Sequence, residues 1–204
     1  MKKKIAILGS TGSIGKCLID IIKKDKRNFE IILLSADENY KELLKQAKFF
    51  KVKNLIITNE ESYIKAKKKK FSKNFNIYNN FNNFKKIFKK KIDYTMSSIS
   101  GIQGLKPTIE IIKYTNRIAI ANKEAIICGW DLIEKRLNKH KTEFIPVDSE
   151  HFSIWYALKD FEKNLIEKIY LTASGGPFLD KTLKKLERVN INQVINHPTW
   201  KMGK

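Results

Sequence analysis

Short apolar runs alternate with longer amphipathic stretches over the first 147 residues of the chain. The apolar runs have the length of buried parallel strands, and the amphipathic stretches have helical spacing. Strands are predicted at residues 5–8, 30–34, 54–58, 75–78, 93–97, 117–121 and 143–146, and helices at 13–24, 40–50, 60–69, 81–89, 105–114 and 123–138. This alternation predicts an α/β fold with a doubly wound parallel sheet.

The first predicted strand runs directly into the sequence G-S-T-G-S-I-G at residues 9–15. A helical pattern follows, with Ile14, Leu18, Ile21 and Ile22 on its predicted buried face. A glycine turn between a strand and a helix indicates a dinucleotide site, because backbone N–H groups at the helix start face a pyrophosphate there. The spacing is G-x-x-G-x-x-G instead of G-x-G-x-x-G, so a glycine-rich turn without a ligand stays the alternative.

Composition and charge narrow the class of protein. A chain of 204 residues with 42% hydrophobic content has room for one domain and part of another. No apolar run approaches the length of a membrane span or a secretory signal, so we expect a cytoplasmic protein. Cys17 and Cys128 match no metal or redox spacing and are expected to be free thiols.

The net charge of +20 invites comparison with nucleic-acid-binding proteins. Lysine greatly outnumbers arginine, however, and lysine, asparagine and isoleucine are all enriched, which is the signature of an A/T-rich genome. The lysine-rich segment 65–91 also contains Phe81, Phe84 and Phe88 at helical spacing, which predicts a buried face rather than a base-stacking platform. We expect neither nucleic acid nor a membrane as a partner.

Ligands of doubly wound sheets bind at the carboxyl ends of the strands, here the loops after residues 8, 34, 97, 121 and 147. The last of these loops continues into D-S-E-H at residues 148–151. Asp148 and Glu150 there could bind Mg²⁺ or Mn²⁺, with His151 as a possible third ligand. A helix N-terminus capped by Asp148 or Ser149 explains the same residues equally well. Lys123, in A-N-K-E at 121–124, could simply pair with Glu124 in solvent.

Two further motifs follow residue 160, after a polar loop predicted at 160–167. A strand predicted over 169–173 ends in S-G-G-P-F at 174–178, where a serine beside two glycines suits a phosphate oxygen, or forms an ordinary turn. The second motif is H-P-T-W-K-M-G at 197–203. Its imidazole and indole could cover a ligand or could pack against the rest of the protein.

In this order and at these separations, the five motifs resemble the 1-deoxy-D-xylulose 5-phosphate reductoisomerase family along the whole chain. The resemblance implies an NADPH-dependent oxidoreductase that converts 1-deoxy-D-xylulose 5-phosphate to 2-C-methyl-D-erythritol 4-phosphate in non-mevalonate isoprenoid biosynthesis. It further implies Mg²⁺ or Mn²⁺, a small sugar phosphate substrate and a homodimer. Another NAD(P)-dependent oxidoreductase, a non-catalytic remnant and a lysine-rich binding module with a Rossmann domain are the alternatives.

The resemblance also implies roles for individual residues. Lys123, Asp148 and Glu150 form the implied catalytic set, in which the two carboxylates bind the metal. Cofactor contacts are implied for Thr11, Gly12, Ser13, Ile14, Asp37, Glu38, Asn39, Asn122, Glu124 and Gly203. Substrate contacts are implied for Lys123, Ser149, Glu150, Ser174, His197 and Trp200, with Ser174 on the phosphate and Trp200 in a closing flap.

Two features depart from the family. The family continues for about as long again, with a third metal carboxylate, further phosphate contacts and a helical domain. We therefore expect a Rossmann-like cofactor domain at 1–147 and the start of an α+β catalytic domain at 148–204. We expect no useful activity from this chain alone. The family also has a basic residue near Glu38 that suits the 2′-phosphate of NADPH. Acids such as Asp37 and Glu38 at this place are typical of NAD sites instead. We keep NADPH as the expected cofactor.

Overall fold

The computed structural model describes residues 1–69, 73–162, 165–172 and 176–196. Within these residues, seven strands form one parallel sheet in the order β4-β3-β2-β1-β5-β6-β7. The strands are β1 (Lys3–Leu8), β2 (Phe29–Ala36), β3 (Asn54–Ile57), β4 (Asn76–Tyr78), β5 (Ile92–Ser97), β6 (Thr115–Ile120) and β7 (Glu143–Pro146). The predicted doubly wound α/β fold is confirmed.

The α-helices of the described residues alternate with the strands and follow them. They are α1 (Ser13–Lys24), α2 (Tyr40–Phe50), α3 (Glu60–Lys67), α4 (Phe84–Ile87), α5 (Leu105–Ile111), α6 (Lys123–His140), α7 (Ser149–Ala157), α8 (Leu183–Leu186) and α9 (Ile191–Ile195). None of them combines the length and the apolar character needed to cross a bilayer.

Alternate residues of β1 point into two separate hydrophobic cores, as the pleat of a strand requires. Ile5 and Ile7 pack with buried residues of α1 and α2, whereas Ala6 and Leu8 pack with buried residues of α4, α5 and α6. Because the chain moves outward from β1 in both directions, the strand order reverses between β1 and β5. That reversal creates a crevice at the carboxyl edge of the sheet, where such folds bind ligands.

The buried face of α1 differs from the predicted one. Gly15, Ile19 and Ile22 are buried, whereas Ile14 is 39% exposed and Ile21 is 55% exposed. The cause is the close approach of the helix to the glycine turn, since a Cβ on Gly15 would lie only 2.3 Å from the Gly9 carbonyl oxygen. The glycine of α1, and not Ile14, therefore packs against the turn.

Phe84 and Phe88 of the lysine-rich segment belong to the core, as predicted, and Phe81 packs against it. Phe84 is 2% exposed and Phe88 is 4% exposed. The Phe88 ring stacks on Tyr114 with a centroid distance of 5.5 Å, and Phe81 is half-buried beside Phe84. The helix predicted over 81–89 is instead a 3₁₀ turn followed by the short α4, because the backbone of Phe88 becomes extended to place its ring in the core.

The chain divides into two compact units, residues 1–160 and 161–204. The first unit includes α7, and the domain boundary expected after residue 147 stays a prediction. The described part of the second unit contains a 3₁₀ turn at Gly176–Phe178, α8 and α9. The strand predicted over 169–173 is wrong for residues 169–172, which pair with no described strand, and Ala173 lies outside the described residues. Cys17 and Cys128 are free and exposed.

Candidate functional site

Two adjoining cavities form a groove along the carboxyl edge of the sheet. The cavity toward β2, here called the β2-side cavity, has a volume of about 640 Å³, and the cavity toward β6, the β6-side cavity, has a volume of about 290 Å³. Both are lined by Gly12 of the glycine turn and by the loop after β5, at Ser98, Ile99 and Ser100. The groove therefore crosses the point where the strand order reverses.

The three glycines of the turn have different reasons to be glycine. Gly9 has a φ of +81°, and a Cβ there would lie 2.6 Å from the Ser98 carbonyl oxygen. Gly15 is required by the contact of α1 with the turn. Gly12 has an ordinary φ of −75°, and its Cβ would meet only the Gly9 carbonyl oxygen, at 3.5 Å. The surrounding protein has room for a side chain at position 12. Because glycine has none, that space in the groove is open.

The N-terminus of α1 carries no cap. Gly12 offers no side chain to bond the first backbone N–H groups, and the first turn contains no acid. Helices α2, α3, α6 and α7 are all capped by side chains, namely those of Asn39, Asn59, Asn122 and Asp148. The N–H groups and the positive end of the α1 dipole thus remain available to an anion in the groove.

Hydrogen bonds behind the glycine turn fix its position. The Ser10 hydroxyl is fully buried and donates to Gln46 Oε1 at 2.8 Å, while Gln46 Nε2 donates back to the Ser10 carbonyl oxygen at 3.1 Å. On the other side, the Gly9 N–H donates to Ser35 Oγ at 3.0 Å and the Ser10 N–H donates to the Ser35 carbonyl oxygen at 2.8 Å. The turn is therefore held in place by α2 and β2.

We expect Gln46→Met to destabilise the protein by about 1–3 kcal/mol, because it removes the buried hydrogen bonds of Gln46 to the Ser10 hydroxyl and carbonyl oxygen while keeping the side-chain length. The Ser10 hydroxyl would keep only its longer contact of 3.3 Å with the Ser35 carbonyl oxygen. Urea unfolding followed by circular dichroism measures this difference. Gln103→Met, at an exposed position, is the matched control and should change the unfolding free energy by less than about 0.5 kcal/mol. Equal losses in the two variants would contradict the role of Gln46.

The loop after β2 presents one of its two acids to the groove. Asp37 lines the β2-side cavity, and its Oδ1 accepts a hydrogen bond of 2.6 Å from Thr58 Oγ1. Glu38 is not among the residues that line the β2-side or the β6-side cavity in the described structure, and its carbonyl oxygen accepts from Ser62 Oγ at 2.9 Å. Asn39 caps α2 by accepting from the Glu42 N–H.

Asn122 joins α6 to the loop after β5. Its side chain is almost fully buried, its Oδ1 caps α6 by accepting from the Ala125 N–H at 2.7 Å, and its Nδ2 donates to the carbonyl oxygens of Ile99 and Gly101. These bonds shape the floor of the β6-side cavity. Lys123 and Glu124 follow on the cavity wall and are exposed.

Asp148 is the N-cap of α7, which is the arrangement that the sequence left as an alternative to a metal site. Its Oδ1 accepts from the His151 N–H at 2.8 Å and lies 2.6 Å from His151 Nδ1. Burial would raise the pKa of the Asp148 carboxyl, but the hydrogen bonds from the backbone and the ring of His151 outweigh it and lower that pKa. Asp148 is therefore ionised at neutral pH, as a metal ligand must be.

Glu150 links α7 to the groove. Its Oε2 lies 3.7 Å from Lys123 Nζ and accepts a hydrogen bond of 3.0 Å from Ser149 Oγ. The two carboxylates suit a hard divalent cation in their chemistry. Among the described residues, however, no three histidine, cysteine, aspartate or glutamate side chains come together as a metal site.

Eight of the predicted site residues line the groove. Thr11, Gly12 and Asp37 line the β2-side cavity, and Gly12, Ser13, Ile14, Asn122, Lys123 and Glu124 line the β6-side cavity. Ser174, His197, Trp200 and Gly203 lie outside the described residues. Residues that sequence reasoning missed include Ser98, Ser100, Thr58 and Lys106, although the position of the first two after a strand end was a usable signal.

A separate cavity of about 480 Å³ lies at the opposite edge of the sheet, at the amino ends of β1, β5 and β6. Its lining includes Leu18, Ile21 and Tyr94 and none of the predicted site residues. Because ligands of doubly wound sheets bind at the carboxyl edge, we assign no function to this cavity.

Comparison with known protein families matches the chain in two parts. The family described as 1-deoxy-D-xylulose 5-phosphate reductoisomerase matches residues 5–129, and the C-terminal domain of the same enzyme matches residues 144–204. The 1-deoxy-D-xylulose 5-phosphate reductoisomerase of Pelagibacter ubique (strain HTCC1062) is 55% identical over 204 residues, which are 99% of this chain and 53% of that protein. The enzyme of Wolbachia pipientis subsp. Culex pipiens is 40% identical, over 99% of this chain and 52% of that protein.

Solved structures of the same enzyme have the same fold. The Zymomonas mobilis reductoisomerase in complex with NADPH superimposes with a TM-score of 0.87 at 29% identity, over 97% of this chain and 52% of that one. A reductoisomerase in complex with NADPH, fosmidomycin and magnesium gives a TM-score of 0.82 at 30% identity, over 98% and 52%. The chain thus spans about half the length of the relatives it matches. From its motifs, its fold and these matches, the chain belongs to the 1-deoxy-D-xylulose 5-phosphate reductoisomerase family.

Proposed function

We propose that this chain provides the NADPH site and the first part of the metal and substrate site of an enzyme that converts 1-deoxy-D-xylulose 5-phosphate to 2-C-methyl-D-erythritol 4-phosphate, in non-mevalonate isoprenoid biosynthesis. One observation carries the proposal. The groove that begins at the uncapped α1 N-terminus ends beside Lys123, whose ammonium group lies 3.7 Å from the carboxylate of Glu150. The candidate cofactor site and the carboxylate of Glu150, one of the two candidate metal ligands, therefore adjoin.

In this proposal the glycine turn receives the pyrophosphate of NADPH. The open space at Gly12 admits the phosphates, and the N–H groups of Ser13 and Ile14 at the start of α1 face their charge. Thr11 lies on the β2 side of the turn, toward the adenosine, and Asn122 and Glu124 lie on the β6 side, toward the nicotinamide. The nicotinamide supplies the hydride when NADPH is bound.

Asp148 and Glu150 would hold Mg²⁺ or Mn²⁺, which stabilises negative charge on substrate oxygens when bound. The ionised state of Asp148 and its fixed position at the α7 N-terminus suit this role. Lys123 places its ammonium group beside Glu150, where it can contact the substrate oxygens near the reacting carbonyl. Ser149 is assigned to the substrate from the same loop. We assign Ser174, His197 and Trp200 to the substrate and Gly203 to the cofactor on their motifs alone.

The remaining assignments also belong to the proposal. We propose a small sugar phosphate as substrate, a homodimer as the assembly and the cytoplasm as the location, with neither nucleic acid nor membrane as a partner. The burial of Phe84 and Phe88 supports the exclusion of nucleic acid, since aromatic residues that stack on bases must be exposed.

Calorimetric titration of NADPH into the 204-residue chain tests the cofactor site. We expect one saturable site, because every described element of the groove lies within the first compact unit. The control is the same titration after the chain has been unfolded in urea, which should give no binding heat. A folded chain that binds no NADPH would contradict the proposal.

A further inference from the structure

The β2-side cavity poses a charge problem for NADPH. The acid that lines it is Asp37, and the Thr58 hydroxyl holds its Oδ1 at 2.6 Å and so fixes the carboxylate in the cavity wall. A carboxylate at the end of the second strand suits a ribose hydroxyl and repels a 2′-phosphate. A site for NADPH therefore needs a cation close to Asp37.

The loop that carries Asp37 does not supply that cation. Position 38, next to Asp37, is a glutamate. Lys41, the nearest lysine that follows in the sequence, lines a different cavity, together with Leu44 and Lys48. The charge must come from another element of the fold.

Helix α5 provides it. Lys106 lies in the first turn of α5 and is the one cationic residue among the described residues that line the β2-side cavity. Asp37 lies in the wall of the same cavity. Lys106 is exposed and takes part in none of the ion pairs formed by the described residues. Its ammonium group is thus available to a ligand in the groove.

We propose that Lys106 binds the 2′-phosphate of NADPH and sets the preference of this chain for NADPH over NADH. The assignment rests on the proposed function, since it requires that the groove bind a dinucleotide. Lys106 is a specificity-determining residue in this account. It takes the place of a basic residue in the loop after β2, and Asp37, in the wall of the same cavity, accepts a hydrogen bond from the ribose.

The test compares ligands with and without a 2′-phosphate. Lys106→Met should weaken NADPH and 2′,5′-ADP by about tenfold, the effect of one exposed charge contact, and should leave NADH and 5′-AMP unchanged. Lys106→Arg should retain the NADPH to NADH affinity ratio of the wild type. Lys113→Met is the matched control. Lys113 is exposed, lies just after α5, and lines neither the β2-side nor the β6-side cavity. Its Nζ lies 5.0 Å from the Tyr114 ring centroid.

Calorimetry of the 204-residue chain gives all of these affinities without requiring turnover. Unchanged NADPH binding by Lys106→Met would overturn the assignment, and so would an equal loss for NADPH and NADH. In both cases the wild type would still bind NADPH, and the proposed function would stand. A folded wild-type chain that binds neither dinucleotide would overturn the proposed function together with the assignment.

Discussion

Replacing Gly12 by valine is expected to abolish dinucleotide binding while the fold survives. The backbone at Gly12 has a φ of −75°, which valine adopts readily, and a Cβ there makes only an ordinary contact of 3.5 Å. The branched side chain would instead stand in the groove, above the uncapped start of α1. We expect NADPH affinity to fall by about a hundredfold or more, measured by calorimetry, with an unchanged circular dichroism spectrum and urea midpoint.

Gly9→Val is the informative companion to this variant. Its positive φ of +81° is strained for valine, and the Cβ would lie 2.6 Å from the Ser98 carbonyl oxygen. This variant should lose stability, and it should lose binding only as a consequence. If Gly12→Val binds NADPH as tightly as the wild type, the glycine turn does not hold the pyrophosphate.

The second large effect is expected at Asp148. In a chain joined to the C-terminal half of a family member, Asp148→Asn should lower kcat by about a hundredfold or more, since it removes one of the two carboxylates that we propose hold the metal. Asparagine is as good an N-cap as aspartate, so α7 should keep its start and the protein its stability. NADPH affinity should be unaffected, because Asp148 lies outside both cavities of the groove.

Asp131→Asn, at an exposed position of α6, is the control for a simple loss of charge and should leave kcat unchanged. Steady-state kinetics across a range of Mn²⁺ concentrations separates a weaker metal site from a defective catalytic step. If Asp148→Asn keeps the wild-type kcat at every Mn²⁺ concentration, Asp148 is only a helix cap.

The sequence predicted the sheet well because each strand carries its own local signal. Helices α1 and α2 begin and end where their patterns predict, since glycine and asparagine mark their starts. The buried face of α1 was not predictable from hydrophobic spacing alone. The close contact of Gly15 with the turn decides it, and this contact joins residues six positions apart that no periodicity relates.

The site was predictable where a motif is continuous in the chain and unpredictable where the groove is assembled from distant segments. The glycine turn and A-N-K-E each occupy one stretch, and both line the groove. Thr58 and Lys106 reach the β2-side cavity from elements far apart in sequence. The sequence also offered both Asp37 and Glu38 as acids of the cofactor site. Only the packing of β2 against β3 shows that Asp37 is the one in the cavity wall.

Oxidation of NADPH in the presence of 1-deoxy-D-xylulose 5-phosphate and Mn²⁺ tests the central claim most directly. The assay is run on the 204-residue chain and on the same chain joined to the C-terminal half of a family member. We predict turnover by the joined protein, and we predict that Gly12→Val and Asp148→Asn each remove it. We predict none by the chain alone, because its described residues bring no three histidine, cysteine, aspartate or glutamate side chains together as a metal site. Turnover by the chain alone, or a folded joined protein that binds NADPH and does not oxidise it, would contradict this account.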